Sequence, residues 1–192
     1  MKTVQFLSTA IFASALIFSC SSDDDAAPLP VVEEEVITTM TITLQPSDGG
    51  VDVVLQTRDI DGDGPDEAVL TIVGELDANT EYSGSIVLLN ETEDPAENMT
   101  GEIEEEDLAH QFFYTIGSGL NASTEYEDED SSAEGNPIGL SFTLTTTAAS
   151  SGDITFTLRH EPVKSADGVA NGDITNADGE TDITATFTVT IE

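Results

Sequence analysis

The sequence has no tryptophan, one cysteine, two histidines and four basic residues among 192. Each scarcity excludes something. With Cys20 alone, no disulfide can close within the chain, so a fold must rest on its apolar core. Lys2, Arg58, Arg159 and Lys164 stand against 39 carboxylates, for a formal net charge of −35. Such a surface repels phosphate backbones, which argues against nucleic-acid binding, and it attracts cations. The absence of tryptophan removes the usual platform for sugars. No Gly-x-Ser-x-Gly, no phosphate-binding glycine loop and no His-Glu-x-x-His occurs, and carboxylate pairs are too abundant to single one out, so no enzyme is expected.

The amino terminus carries an address. Lys2 precedes a mostly apolar run from Val4 to Phe18, which has the length of a signal-peptide core and is too short to span a bilayer. Ile17-Phe18-Ser19-Cys20 follows and resembles the lipobox of bacterial lipoproteins. A small side chain before the cut suits the peptidase, and only a thiol can form the thioether to diacylglycerol. The expectation is removal of residues 1–19 and lipidation of Cys20. Ser21-Ser22-Asp23-Asp24-Asp25 resembles the Bacteroidota signal that sends lipoproteins to the outer face of the outer membrane. Residues 20–35, acidic and without periodicity, read as a flexible tether.

From Val36 the texture changes to short Thr- and Val-rich runs with period-two alternation. Strands are predicted at 36–44, 51–58, 68–75, 82–90, 110–116, 121–126, 138–146, 153–160 and 182–191. Ile154, Phe156 and Leu158 share one face, as do Ala185, Phe187, Val189 and Ile191. Turn clusters such as Ser47-Asp48-Gly49-Gly50 and Asn176-Ala177-Asp178-Gly179 separate the runs. About nine short strands at this spacing predict an all-β antiparallel β-sandwich, immunoglobulin-like or jelly-roll, occupying 36–192 as a single domain. The only helix-like stretch is 93–109, with one or two turns expected.

Two constellations suggest cation chemistry. Asp59-Ile60-Asp61-Gly62-Asp63-Gly64-Pro65-Asp66-Glu67 alternates hard oxygens around glycines, and Asp59, Asp61, Asp63 and Glu67 are candidate calcium ligands. A plain acidic loop between two strands is the alternative. The two histidines form the second. His110 opens one predicted strand and His160 closes another, so antiparallel pairing would bring them to the same rim. With Glu106 or Glu161 nearby they form a candidate site for zinc, copper or iron; strand-end histidines packed on the core are the alternative. Arg159 and Lys164 flank His160 and are expected in ion pairs.

The segments Asp59 to Gly64, 76–92, 102–114, 158–164 and 171–183 resemble a family of small Flavobacteriia-type lipoproteins. These often carry the label "type 1 periplasmic binding fold superfamily protein" and are associated with TonB-dependent receptors. The label implies a longer, two-domain α/β fold, whereas the strand-rich pattern here points to an all-β one. The resemblance implies a role in metal or nutrient uptake. The expected function is therefore that of an outer-membrane, surface-exposed lipoprotein that binds a cation or assists an uptake receptor. The alternative is a structural or protein-interaction module with no ligand of its own.

Overall fold

The structure is a computed structural model that describes residues 35–62 and 64–192. The expected signal peptide, the expected lipidation site Cys20, the acidic export signal, the tether up to residue 34 and Asp63 lie outside the described residues. What is described is an all-β antiparallel sandwich. Its strands are β1 (Thr39–Pro46), β2 (Val53–Arg58), β3 (Val69–Val73), β4 (Glu81–Asn90), β5 (Glu97–Asn98), β6 (His110–Ile116), β7 (Ala122–Tyr126), β8 (Ser141–Thr146), β9 (Ser150–His160) and β10 (Glu180–Ile191). All nine predicted strands are present, with ends shifted by a few residues. The tenth, β5, is a two-residue pairing on β4 that has too little length to show a pattern. The expected helical stretch holds α1 (Met99–Glu105), started by the Asn98 side chain accepting from the Thr100 N–H.

One sheet runs β3-β2-β1-β4-β8-β7, with β5 beside β4; the other runs β10-β9-β6. Alternation decides which side chains face inward. Met40, Ile42 and Leu44 on β1, Ile86 and Leu88 on β4, Phe142 and Leu144 on β8 point into one core. Phe112 on β6, Ile154, Phe156 and Leu158 on β9, and Phe187, Val189 and Ile191 on β10 meet them from the second sheet. Aromatic rings carry the contact between the layers. Across the layers Tyr114 lies 4.6 Å and Phe156 5.9 Å from Phe142, while within the second sheet Phe156 meets Phe187 edge-on at 6.2 Å. The outer faces are threonine-rich, and Thr155 hydrogen-bonds Thr186 across the strands at 2.8 Å.

The link from β9 to β10 is long and folds back over the second sheet. It holds two short 3-10 turns, Val169–Asn171 and Ile174–Asn176. Val169 and Ala177 cover the outward side of Phe113 in a satellite cluster, and Gln111 Nε2 donates to the Val169 carbonyl at 2.9 Å. The outer face of β6 is therefore sheltered, and the end of the sandwich at His110 is walled by this link.

The interlayer contact predicts a contrast. Phe156→Ala should cost about 3–5 kcal/mol by leaving a cavity among Tyr114, Phe142 and Phe187. Thr155→Ala, on the outer face of the same strand, should cost less than about 1 kcal/mol. Urea unfolding followed by circular dichroism measures both.

Candidate metal centre

Strand pairing brings the two histidines together. In the β6–β9 ladder Ile116 faces Ile154, Tyr114 faces Phe156, Phe112 faces Leu158, and His110 faces His160. Directly opposite residues share a face, and this is the core face. The two rings stack with centroids 4.7 Å apart and planes 28° apart. His110 is fully buried and His160 nearly so.

The carboxylates that meet them are Glu35 and Asp182, in place of the expected Glu106 and Glu161. Glu35 Oε1 lies 3.2 Å from His110 Nε2, and Glu35 Oε2 lies 3.4 Å from His160 Nδ1. Asp182 Oδ2 lies 3.8 Å from His110 Nε2, and Asp182 Oδ1 lies 3.8 Å from His160 Nδ1. Each carboxylate straddles the imidazole pair, one oxygen to each ring. The Glu106 side chain is exposed, and the residue contributes its carbonyl, 3.2 Å from His110 Nδ1. Glu161 follows His160 directly, so the alternation turns it away; it is exposed and left-handed at φ 49°. Glu35, expected in the tether, stands four residues before β1 and belongs to this site.

Asp182 owes its inward direction to a bulge. On β10, Thr181 pairs with Arg159 and Ile183 with Leu158, so Asp182 is an extra residue between consecutive partners on β9. Strict alternation would send it outward with Thr184 and Thr186. A bulge re-aims a side chain in this way, and the Asp182 side chain is 1% exposed. Arg159 holds the neighbouring backbone: its guanidinium donates to the carbonyls of Asp178 and Gly179 and to Thr181 Oγ1. Among the described residues, the ion pair expected of Arg159 is replaced by a fork onto two backbone carbonyls and a hydroxyl. Gly179 sits at φ 73°, where a Cβ would collide with the His160 carbonyl, so only glycine fits this approach.

Lys164 holds the turn that leads into His110. Its Nζ donates to the Asp107 carbonyl at 2.6 Å, Asp130 Oδ2 at 3.0 Å and the Pro137 carbonyl at 3.2 Å. Asp107 in turn accepts from the Ser131 N–H and hydroxyl. One buried ammonium thus joins three chain segments and steadies the 106–109 turn whose carbonyl meets His110. Burial pushes the Asp130 carboxyl up, but the Ser132 hydroxyl and the Lys164 ammonium outweigh it and hold the group below its ordinary value.

The electrostatics of the cluster are set by burial. Burial pushes the His110 imidazole down, against the opposing pull of the Glu35 carboxylate and the Glu106 carbonyl. A neutral ring with Nδ1–H donated to Glu106 leaves a lone pair on Nε2, aimed at carboxylates that also carry lone pairs. His110 Nε2, His160 Nδ1 and Glu35 Oε2 are buried without a hydrogen-bond partner. The four donor atoms lie within 4.8 Å of one another. A tetrahedral ion with ligand distances of about 2.0–2.1 Å needs edges of about 3.3 Å between ligands; the carboxylate–imidazole separations of 3.2, 3.4, 3.8 and 3.8 Å lie near that edge. Two carboxylates carry the charge that would offset a divalent ion. The Nδ1–H of His110 on a backbone carbonyl is the outer-shell bond that metal-bound imidazoles make.

The acidic loop between β2 and β3 is different. Asp61, Gly64 and Glu67 are exposed, and Asp61 Oδ2 accepts from the Asp66 N–H at 3.2 Å. Among the described residues, Asp59, Asp61 and Glu67 form no metal-ligating group; Asp63 lies outside them.

Removing Lys164 tests this anchor. Lys164→Met should destabilise the protein by about 3 kcal/mol at neutral pH, because Asp130 is left buried without its cation. Asp130 has a folded value below its unfolded one, so its stabilisation is present above about pH 4 and lost as pH falls through the lower folded value. Urea unfolding between pH 7 and pH 2.5 should show this acid limb in the wild type and flatten it in the variant. Comparison with family models, with curated sequences and with solved structures finds no match to this chain.

Proposed function

We propose that the protein is a cation-binding protein that holds a divalent transition metal, zinc by preference, on Glu35, His110, His160 and Asp182. The observation that supports this most is the set of buried lone-pair atoms on Glu35, His110 and His160 that face one another with no hydrogen bond between them. Buried polar atoms are satisfied in almost every folded protein, and a cation is the partner that this set of acceptors lacks. Mixed nitrogen and oxygen donors without sulfur suit zinc, iron(II) and copper(II) better than copper(I). The closed, four-residue set suits zinc best.

The reading accords with the expected lipid anchor at Cys20 and with a place on the cell surface beside a TonB-dependent receptor. The net charge of −35 would concentrate cations around the domain. A second reading, a protein-interaction module, draws on β3, an edge strand whose Val69, Leu70, Ile72 and Val73 are 63%, 51%, 42% and 56% exposed.

Metal content decides the first reading. Full-length protein purified without chelator should carry about one equivalent of zinc, or take it up in calorimetry with a sub-micromolar Kd. The double change His110→Ala/His160→Ala should weaken binding at least about 100-fold while leaving the β-type circular dichroism spectrum intact. Equal zinc affinity in wild type and double variant would end the proposal.

A further inference from the structure

We infer, resting on the zinc reading above, that the ion is a staple between the two sheets, which fastens the amino-terminal lead of the domain onto the end of the β10-β9-β6 sheet. The origin of the four ligands points to this. His110, His160 and Asp182 come from β6, β9 and β10, which together make the smaller sheet. Glu35 alone comes from the other layer, four residues ahead of β1. Among the described residues, backbone pairing holds that lead from Thr38 onward, through Thr38 N–H to the Leu89 carbonyl at 2.9 Å and Asp59 N–H to the Thr38 carbonyl at 2.7 Å. Residues 35–37 are held by side chains: Ile37 against the core, and Glu35 against the imidazole pair.

The closure of the centre matches a structural ion. The side chains of His110 and Asp182 are 0% and 1% exposed, and those of Glu35 and His160 are 9% each. Sites that act on a substrate or pass an ion on keep a coordination position open to solvent, whereas structural sites fill all four from the protein. The sole cysteine, at position 20, lies ahead of the domain, so no disulfide can join the layers. A metal drawing one ligand from one layer and three from the other supplies such a cross-link. Without the ion, Glu35 would face Asp182 as a second buried carboxylate, and among the described residues the lead bearing it has no backbone bond to hold it there.

Hydrogen exchange on the full-length protein, zinc-loaded and chelator-stripped, tests the staple. Loading should slow exchange about tenfold in peptides covering residues 36–41 and 180–185, and raise the melting temperature by about 10 °C at saturating zinc. In Glu35→Gln, zinc should still bind through His110, His160 and Asp182 with reduced affinity. The slowing at 180–185 should persist and that at 36–41 should disappear. One equivalent of zinc bound to the wild type with unchanged exchange at 36–41 would overturn the staple and leave the metal centre standing. Full slowing at 36–41 retained in Glu35→Gln would overturn the staple in the same way. Failure of the wild type to bind zinc would overturn both.

Discussion

Phe156 touches Tyr114 and Phe187 within its own sheet and Phe142 across the sandwich, and this aromatic contact sets the spacing and register on which the remaining structure depends. The domain has no disulfide to fix its layers, so burial of alternate side chains is the force that selects one pairing of strands over another. A slip of β6 by one residue against β9 would turn Phe112 and Tyr114 outward together, away from Leu158 and Phe156. The cost of that slip locks the ladder, and the locked ladder places His110 opposite His160. The histidine pair is thus a consequence of aromatic packing four residues away along the same ladder.

The polar end of the core survives because its surroundings are built from backbone. Three devices act there: the bulge at Asp182, the Arg159 fork onto Asp178, Gly179 and Thr181, and the Lys164 ammonium shared by Asp107, Asp130 and Pro137. Two of the four basic residues in the sequence hold loops around two imidazoles. A third, Arg58, pairs with Glu91 at 2.7 Å; its guanidinium and the Thr39 hydroxyl hold that carboxyl down at about 2. Most of the other described carboxylates face solvent. At Glu102, near the site, partial burial and the like charges of Glu97, Glu106, Glu35 and Glu105 push the carboxyl up. The same end of the molecule therefore combines a strongly acidic surface with a buried cluster of two imidazoles and two carboxylates.

The layered fold, the strand positions and the meeting of the two histidines were legible in the residues, because all three follow from a period of two. Ile154, Phe156, Leu158 and His160 fall on one face by counting, and an antiparallel partner beginning at His110 meets the far end of that strand by direction alone. The carboxylates were not legible in the same way. Proximity along the chain favoured Glu106 and Glu161, but a residue next to an inward histidine on a strand points outward, and Glu106 offers its carbonyl at the end of α1. Glu35 carries no local signal, being one of three consecutive glutamates in a stretch without alternation. Counting assigns Asp182 to solvent.

The alternation of apolar and polar residues determined by itself that this chain forms two antiparallel layers with an acidic exterior, because burial of one face in two needs no knowledge of distant partners. Only the tertiary structure decided which acids join the histidines. A bulge depends on how two particular strands count against each other, and Glu35 is brought in from another layer, so both choices depend on long-range pairing that no local spacing encodes.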